Sequence, residues 1–356
     1  MSLPKLPSSL AAFLTSTFKL SIADFKLPMV PLISAAANLL VVFSLCGLPD
    51  YSQAQDYPNK PIKMIIPFSP GGASDLVGRI LQTKFGDLLG QPLIIENKPG
   101  ASGNIGMELA AKSAPDGYTL FLGNIGTMAI NPALYPNIKV NPLRDFISVT
   151  EVVDVPSALV TTASFPTSTV AELVTYLKAI PGKFNFASPG SGSANRMQTE
   201  RFMGLTGTKL VHVPYKGGAG PAAVGMVGGE TQMMFVTLSS AQEFIKSGRL
   251  KGLAVTSPSR MPELPNVPTI SEAGYKDLTG GSWQILAVPT GTPRDIVNKL
   301  YTATINTLML PEVKEKLEKQ GAIVVTSKSP EAAREFLSNE TQRWGKVVKE
   351  TGATPD

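Results

Sequence analysis

Cysteine and histidine are nearly absent from this chain of 356 residues. Cys46 is the only cysteine and His212 the only histidine, so the sequence can form no internal disulfide and offers no cluster of zinc or iron–sulfur ligands. A Ser-His-Asp triad would have to use His212, and no G-x-S-x-G motif supplies its serine. In "KLVHVPY" the histidine alternates with apolar residues, which favours a structural role. A secreted hydrolase is the one enzyme alternative left open.

Long blocks of one charge are also missing. The formal net charge is +5, and Lys and Arg do not cluster, so no nucleic-acid partner is predicted. The phosphate-loop motif G-x-x-x-x-G-K-[ST] does not occur, and "GSGSAN" has Asn195 where a dinucleotide fingerprint requires its third glycine. The sequence therefore predicts no cofactor.

The first 54 residues are apolar in a way that the rest of the chain is not. Two lysines precede an uncharged run from Leu27 to Pro49, and Ser52 and Ala54 in "SQAQ" fit the small-x-small pattern of a signal-peptidase site. We predict a long signal peptide over residues 1–54 and export to the periplasm. A transmembrane anchor is the alternative, since about 20 apolar residues span a bilayer.

Short apolar runs alternate with amphipathic stretches over the remainder. "IKMII" precedes a predicted helix near 75–89, "PLIIEN" one near 103–113, "KFNFAS" one near 194–206, and "KLVHVPY" one near 219–228. This order is typical of a doubly wound α/β sheet. The order repeats after "FISVTEVVDVPSALVTT", so we expect two α/β units with a C-terminal section that returns to the first.

The turn "PFSPGGASD" (67–75) lies between the first predicted strand and helix. Ligands of α/β sheets bind where strands end and helices begin, and the free N–H groups of a helix start suit an anion. Gly71 and Gly72 allow close backbone approach and positive φ, and Ser74 or Asp75 is expected to cap the helix. The turn predicts either an anion cradle or a plain capped connection.

Similar turns recur along the chain and favour the cradle. They are "GNIGT" (123–127), "ASPGSGSANRM" (187–197) and "PYKGGAG" (214–220). As many as four helix starts could therefore line one cleft. Small uncharged donors with few Arg or Lys suit a carboxylate better than a polyphosphate.

Four long stretches carry a family resemblance. They are "YPNKPIKMIIPFSPGGASD", "IIENKPGASGNIGMELAAKSAPDGYTLFLG", "HVPYKGGAGPAAVGMVGGETQMMF" and "LAVTSPSRMPELPNVPTISEAGYKDLTGGSWQILAVPTGTP". From about residue 57 onwards the chain resembles the substrate-binding receptors of tripartite tricarboxylate transporters, the Bug family. The resemblance implies an α/β, type II periplasmic binding-protein fold with two Rossmann-like lobes around a ligand cleft. We expect one lobe from residues 55–155 plus 281–356 and the other from 156–280.

The same resemblance implies function and site. It implies a monomeric, non-enzymatic receptor that binds a small organic carboxylate and presents it to membrane permease subunits. A carboxylate sensor that docks onto a signalling partner is the alternative from another class. The implied ligand-binding residues are Phe68, Gly72, Ala73, Ser74, Asp75, Asn124 and Thr127 on one jaw, and Ser188, Ser191, Ser193, Arg196 and Tyr215 on the other.

Two positions depart from the family pattern. Arg196-Met197 stands where members usually have His-Leu, and Val236 stands where they often have Asp. Arg196 could pair with a second ligand carboxylate or lie on the outer face of its helix. Val236 removes a candidate partner for an ammonium group and so disfavours amino acids as ligands.

Overall fold

The computed structural model describes residues 57–215 and 217–355, and the predicted signal peptide lies outside them. The strands are β1 (Ile62–Ile66), β2 (Leu93–Asn97), β3 (Thr119–Asn124), β4 (Phe146–Thr162), β5 (Asn185–Ser188), β6 (Val211–Pro214), β7 (Met233–Thr237), β8 (Leu250–Val255), β9 (Gly281–Pro289) and β10 (Ile323–Val324). The helices are α1 (Ala73–Leu89), α2 (Asn104–Ala111), α3 (Asn131–Leu134), α4 (Pro142–Asp145), α5 (Val170–Ala179), α6 (Ala194–Thr206), α7 (Ala219–Val227), α8 (Leu238–Lys246), α9 (Arg294–Met309), α10 (Pro311–Lys319) and α11 (Pro330–Thr351). A π-helical turn covers Gly126–Ile130, and 3-10 turns cover Ala101–Gly103 and Lys276–Leu278.

The strands form two connected sheet regions. In the first, β1 pairs in parallel with β2 and β3, and β3 pairs antiparallel with β9. In the second, β5 pairs in parallel with β6 and β7. The spatial order is β2-β1-β3-β9-β4-β7-β5-β6, with β8 and β10 also paired to β4. Parallel strands connected through helices confirm the α/β prediction.

The long strand β4 connects the two regions. Its segment from Phe146 to Pro156 pairs antiparallel with β9, whereas Ser157 to Thr162 pair with β7 and β8. The predicted lobe boundaries at residues 155/156 and 280/281 lie at this change of partners and at the start of β9. The division into lobes at these positions stays a prediction.

Alternate strand residues enter apolar clusters on the two sheet faces. In β1, Ile62 packs in a cluster with Phe85 of α1, and Ile65 packs in the opposite cluster with Trp344 of α11. In β4, Leu159 and Val160 likewise enter different clusters. Burial on both faces explains the apolar runs of the inner parallel strands, whereas the edge strands β2 and β6 are partly exposed.

The predicted elements agree with the structure to within two residues at the helices already named. Helix α5 begins after Thr169, whose Oγ1 accepts a hydrogen bond from the Glu172 N–H at 3.2 Å. The sequence pattern did not predict β8, α8 or α10. Within residues 57–215 and 217–355, no helix has both the length and the apolar character needed to cross a bilayer.

Candidate functional site

Helix starts from both sheet regions surround one small cavity of about 40 Å³. Helices α1, α6 and α7 contribute Gly72, Ser193 and Gly218 with the residues that follow each, and α8 contributes Thr237, the residue before its first turn. Every described residue that lines the cavity is uncharged. Since each helix start presents free N–H groups and about half a positive charge, the cavity favours an anion.

All four predicted turns contribute residues to the cavity wall. The "GNIGT" turn leads into a π-helical turn and contributes Asn124, and the unpredicted α8 adds a further contributor, Thr237. The Asn124 Oδ1 accepts a hydrogen bond from the Thr127 N–H at 3.0 Å. Thr127 is fully buried, and its Oγ1 accepts from the Asn124 N–H at 3.1 Å. Thr127 thus supports Asn124 and does not itself line the cavity.

In the opening turn only one of the two glycines has a positive φ. Gly71 has φ +83°, whereas Gly72 is extended with φ −82° and directly precedes α1. The predicted cap by Ser74 or Asp75 is wrong, because no side chain caps α1. A Cβ built on Gly72 would meet only the Ser69 carbonyl oxygen, at 3.6 Å. The missing side chain at Gly72 therefore keeps space open beside the cavity.

Asp75 holds the opening turn in place. Its buried carboxylate accepts hydrogen bonds from the Gly71 N–H at 2.9 Å, Arg79 Nε at 2.9 Å and Asn97 Nδ2 at 3.0 Å. Burial alone would raise its pKa, but these hydrogen bonds outweigh burial and hold the pKa below its ordinary value. Asp75 does not line the cavity, so the structure assigns it a supporting position.

The serines predicted for the second jaw also divide into one that lines the cavity and two that do not. Ser193 lines the cavity, donates to the Gly190 carbonyl at 2.8 Å and caps α6 by accepting from the Arg196 N–H at 3.2 Å. Ser188 and Ser191 are fully buried and do not line the cavity. The Ser191 Oγ lies buried with no hydrogen-bond partner.

Ser188 and His212 form a partly buried contact, with 2.6 Å between Oγ and Nε2. Burial, and to a lesser extent the charge of Arg196, lowers the pKa of His212 to about 4, so the ring is neutral at pH 7. The ring also stacks on Phe186 with centroids 4.9 Å apart. These contacts agree with the structural role expected for the histidine.

Arg196 takes neither of the positions expected for it. Only 6% of the residue is exposed, which contradicts an outer-face position, and it does not line the cavity. Its Nη1 donates to the Thr354 carbonyl at 2.6 Å, and its Nε donates to Glu200 at 3.4 Å. The guanidinium is therefore engaged by the C-terminal segment. Val236 is likewise buried in the core and absent from the cavity wall.

Four polar residues of the cavity were missed by the sequence analysis: Asn195, Thr237, Ser282 and Gln284. The Gln284 side chain is almost fully buried, and its Oε1 has no hydrogen-bond partner. The alternation of "GSWQILAVP" places Ser282 and Gln284 on the same face of β9, which was a usable signal. Nothing local marks that face as the one toward Gly72.

The described residues offer little for catalysis. No group of three His, Cys, Asp or Glu side chains among residues 57–215 and 217–355 is arranged to hold a metal ion. The Ser188–His212 contact is the serine–histidine pair that the structure brings together, and it lies outside the cavity wall. Binding of an anion by backbone N–H groups is the chemistry that this arrangement supports.

The chain is similar to several known proteins. A model of the family described as "Tripartite tricarboxylate transporter family receptor" matches residues 77–353. Protein BugT of Bordetella pertussis is 37% identical over 314 residues, covering 88% of this chain and 96% of BugT.

Solved structures are similar over most of the chain. The structure of the periplasmic binding protein BugD has a TM-score of 0.79 at 34% identity, covering 84% of this chain and all of BugD. R. palustris Rpa4515 with adipate has a TM-score of 0.81 at 32% identity, covering 85% of this chain and 100% of that one. MatC from Rhodopseudomonas palustris with bound malate has a TM-score of 0.77 at 31% identity, covering 82% of this chain and 100% of MatC. The predicted periplasmic binding-protein fold is thereby confirmed.

Proposed function

This chain belongs to the tripartite tricarboxylate transporter receptor family, and we propose that it is a periplasmic receptor that captures a small organic carboxylate and delivers it to the permease subunits of such a transporter. The proposal includes removal of residues 1–54 on export, a monomeric state and the absence of catalysis. The observation that carries it is the convergence of four helix starts on one uncharged cavity. Adipate and malate in the similar proteins support a carboxylate as the anion.

The site is proposed to have an inner and an outer set of residues. Phe68, Gly72, Ala73, Ser74, Asn124 and Ser193 line the cavity and are proposed to contact the ligand. Asp75, Thr127 and Ser188 are proposed to position them. Ser191, Arg196 and Tyr215 lie outside the wall of this cavity, and no direct contact with the ligand's carboxylate group is proposed for them.

Capture is proposed to close two lobes around the ligand. Residues of the predicted lobes touch beside the cavity: a Cβ built on Gly192 would overlap the Asn131 Oδ1, and one built on Gly126 would lie 2.7 Å from the Gly192 carbonyl oxygen. Such tight contacts between segments far apart in the chain fit a closed state. Opening would separate Gly72 from Ser193 and admit the ligand.

The test begins with protein purified from the periplasmic fraction. N-terminal sequencing should give a start at or near Gln55, and recovery of intact Met1 in membranes would contradict export. Calorimetric titration against a panel of carboxylates should yield at least one ligand, and small-angle scattering should show a smaller radius of gyration with that ligand bound. A panel without any binding would overturn the receptor proposal.

Delivery needs a separate experiment in cells. Uptake of the labelled ligand should require both this receptor and a large and a small membrane subunit. If uptake is unchanged without the receptor while a sensor kinase loses its response to the ligand, the protein is a sensor.

A further inference from the structure

A second cavity adjoins the anion cavity and is much larger, with a volume of about 300 Å³. Phe68, Pro189 and Gly218 line both cavities, so a ligand held by its head in the first can extend its body into the second. A cavity of about 150 Å³ is enough to hold benzene. The second cavity therefore has room for a ring or a six-carbon chain.

The described wall of this second cavity, which we name the tail cavity, is mostly carbon. Its side chains include Phe68, Tyr135, Tyr215 and the prolines Pro99 and Pro214. The Tyr215 hydroxyl donates to Glu230 at 2.6 Å, and the Tyr135 hydroxyl donates to the Ser102 Oγ at 2.9 Å. Both hydroxyls are thus engaged by neighbouring residues.

The described part of the tail cavity also lacks a partner for a second carboxylate. No lining residue among those described carries a charge. Arg196, the cation that the sequence analysis considered for this role, lines neither cavity and is bound to Thr354. A carboxylate moved into such a site would lose its water without gaining a counter-charge.

Resting on the proposed function, we propose that the preferred ligand is a monocarboxylate whose apolar or aromatic body occupies the tail cavity. The head is held by the helix starts around Gly72 and Ser193, and the body lies against Tyr135 and Tyr215. A dicarboxylate of the same length is disfavoured because its second charge would lie against carbon. In this preference the chain differs from the similar proteins named with adipate and malate.

The test is calorimetric titration of the periplasmic protein with acetate, butyrate, hexanoate, phenylacetate and adipate. Affinity should rise by about fourfold for each methylene from acetate to hexanoate, since burying one methylene contributes about that factor. Hexanoate and phenylacetate should bind at least about tenfold tighter than adipate. Lys216 lies outside the described residues, and the adipate titration tests for a cation there as well.

Variants connect the preference to the tail cavity. Tyr135→Ala and Tyr215→Ala should lower hexanoate affinity by about tenfold more than acetate affinity, because each removes apolar contact from the body alone. Tyr176→Ala is the matched control, since this tyrosine of α5 packs on Phe165 and Phe184 and lines neither cavity. The affinities for hexanoate and acetate should both be unchanged in Tyr176→Ala.

The outcomes separate the two proposals. Adipate binding tighter than hexanoate, or affinities independent of the tail, would overturn the ligand class and leave the carboxylate receptor standing. A selective loss of adipate binding in Arg196→Ala would show that the guanidinium reaches a second carboxylate and would also overturn the class. If no carboxylate binds, both proposals fail.

Discussion

The two faces of strand β9 meet opposite electrostatic surroundings. Ser282 and Gln284 lie in the anion cavity, whose described wall is uncharged and formed by helix starts. Trp283, between them, lies in a cavity of about 230 Å³ on the other face, which we name the rear cavity. Its wall has four carboxylates: Glu151, Asp154, Asp277 and Glu340, with Arg201 and Arg343 as the cations. One three-residue stretch thus separates a surface that attracts an anion from one that repels it.

The carboxylates of the rear cavity are held unequally. Glu340 accepts hydrogen bonds from Trp283 Nε1 at 2.7 Å, Trp344 Nε1 at 2.9 Å and Arg343 Nη1 at 3.1 Å. Asp154 has a buried Oδ1 without a hydrogen-bond partner. Burial, with the charges of Glu151 and Glu340, raises the pKa of Asp154 to about 6, although the Gly281 N–H partly stabilises its charge. The anion cavity is therefore favourable for a negative charge, whereas the four carboxylates of the rear cavity outnumber its two arginines.

Filling the anion cavity should have the largest effect. We expect Gly72→Val to lower affinity for every carboxylate by at least about a hundredfold, because the branched side chain would occupy space that the ligand needs. Folding should survive, since Gly72 is extended and only the Ser69 carbonyl lies near a new Cβ. Calorimetry measures the affinity, and thermal unfolding checks the fold.

The control for this variant is Gly204→Ala in α6, an exposed helical position with nothing near a new Cβ. It should leave carboxylate affinity unchanged. Unaltered binding in folded Gly72→Val would contradict the anion cavity as the site.

Neutralising one carboxylate of the rear cavity should have a smaller effect, and it should act on stability instead of ligand affinity. A raised pKa means that the folded state retains a proton at Asp154 that the unfolded chain has lost, so stability falls as pH rises from about 4 to about 6 and stays lower above that. Asp154→Asn removes this loss. We expect it to raise the free energy of unfolding by about 2 to 3 kcal/mol at pH 7.5 and to change it little at pH 4.

Denaturant titration of wild type and variant at both pH values measures this difference. Asp87→Asn, at an exposed carboxylate in α1, is the control and should not show the pH dependence. If Asp154→Asn raised the free energy of unfolding equally at pH 4 and pH 7.5, the charge of Asp154 would not be the cause of the stabilisation.

The difference between the two cavities also explains what the sequence could predict. The first turn, Ser193 and the "PYKGGAG" turn were found because each lies between a strand and the helix that follows it, and the chemistry of a helix start is local. Which of the two glycines has a positive φ could not be predicted, since both Gly71 and Gly72 permit it. The strand Leu250–Val255 was missed because Lys251 and Gly252 interrupt its apolar run.

Contacts between distant parts of the chain could not be predicted. Arg196 meets Thr354, which lies 158 residues further along the chain, and no local pattern indicates that pairing. Glu340 likewise meets Trp283 only after α11 packs beside β9. The rear cavity consists almost wholly of such contacts, and for that reason none of it was predicted from the sequence.

The smallest expected effect comes from Glu340→Gln. Trp283 and Trp344 are the only tryptophans in the chain, and both donate to the same carboxylate oxygen. A neutral amide oxygen accepts these hydrogen bonds more weakly than a carboxylate, so we expect a loss of about 1 kcal/mol in the free energy of unfolding. Tryptophan emission should shift, because both indole N–H groups lose their charged acceptor. Carboxylate affinity should equal that of wild type, because no tryptophan lines the anion cavity. A variant with unchanged emission but weakened binding would show that the two faces of β9 are not independent.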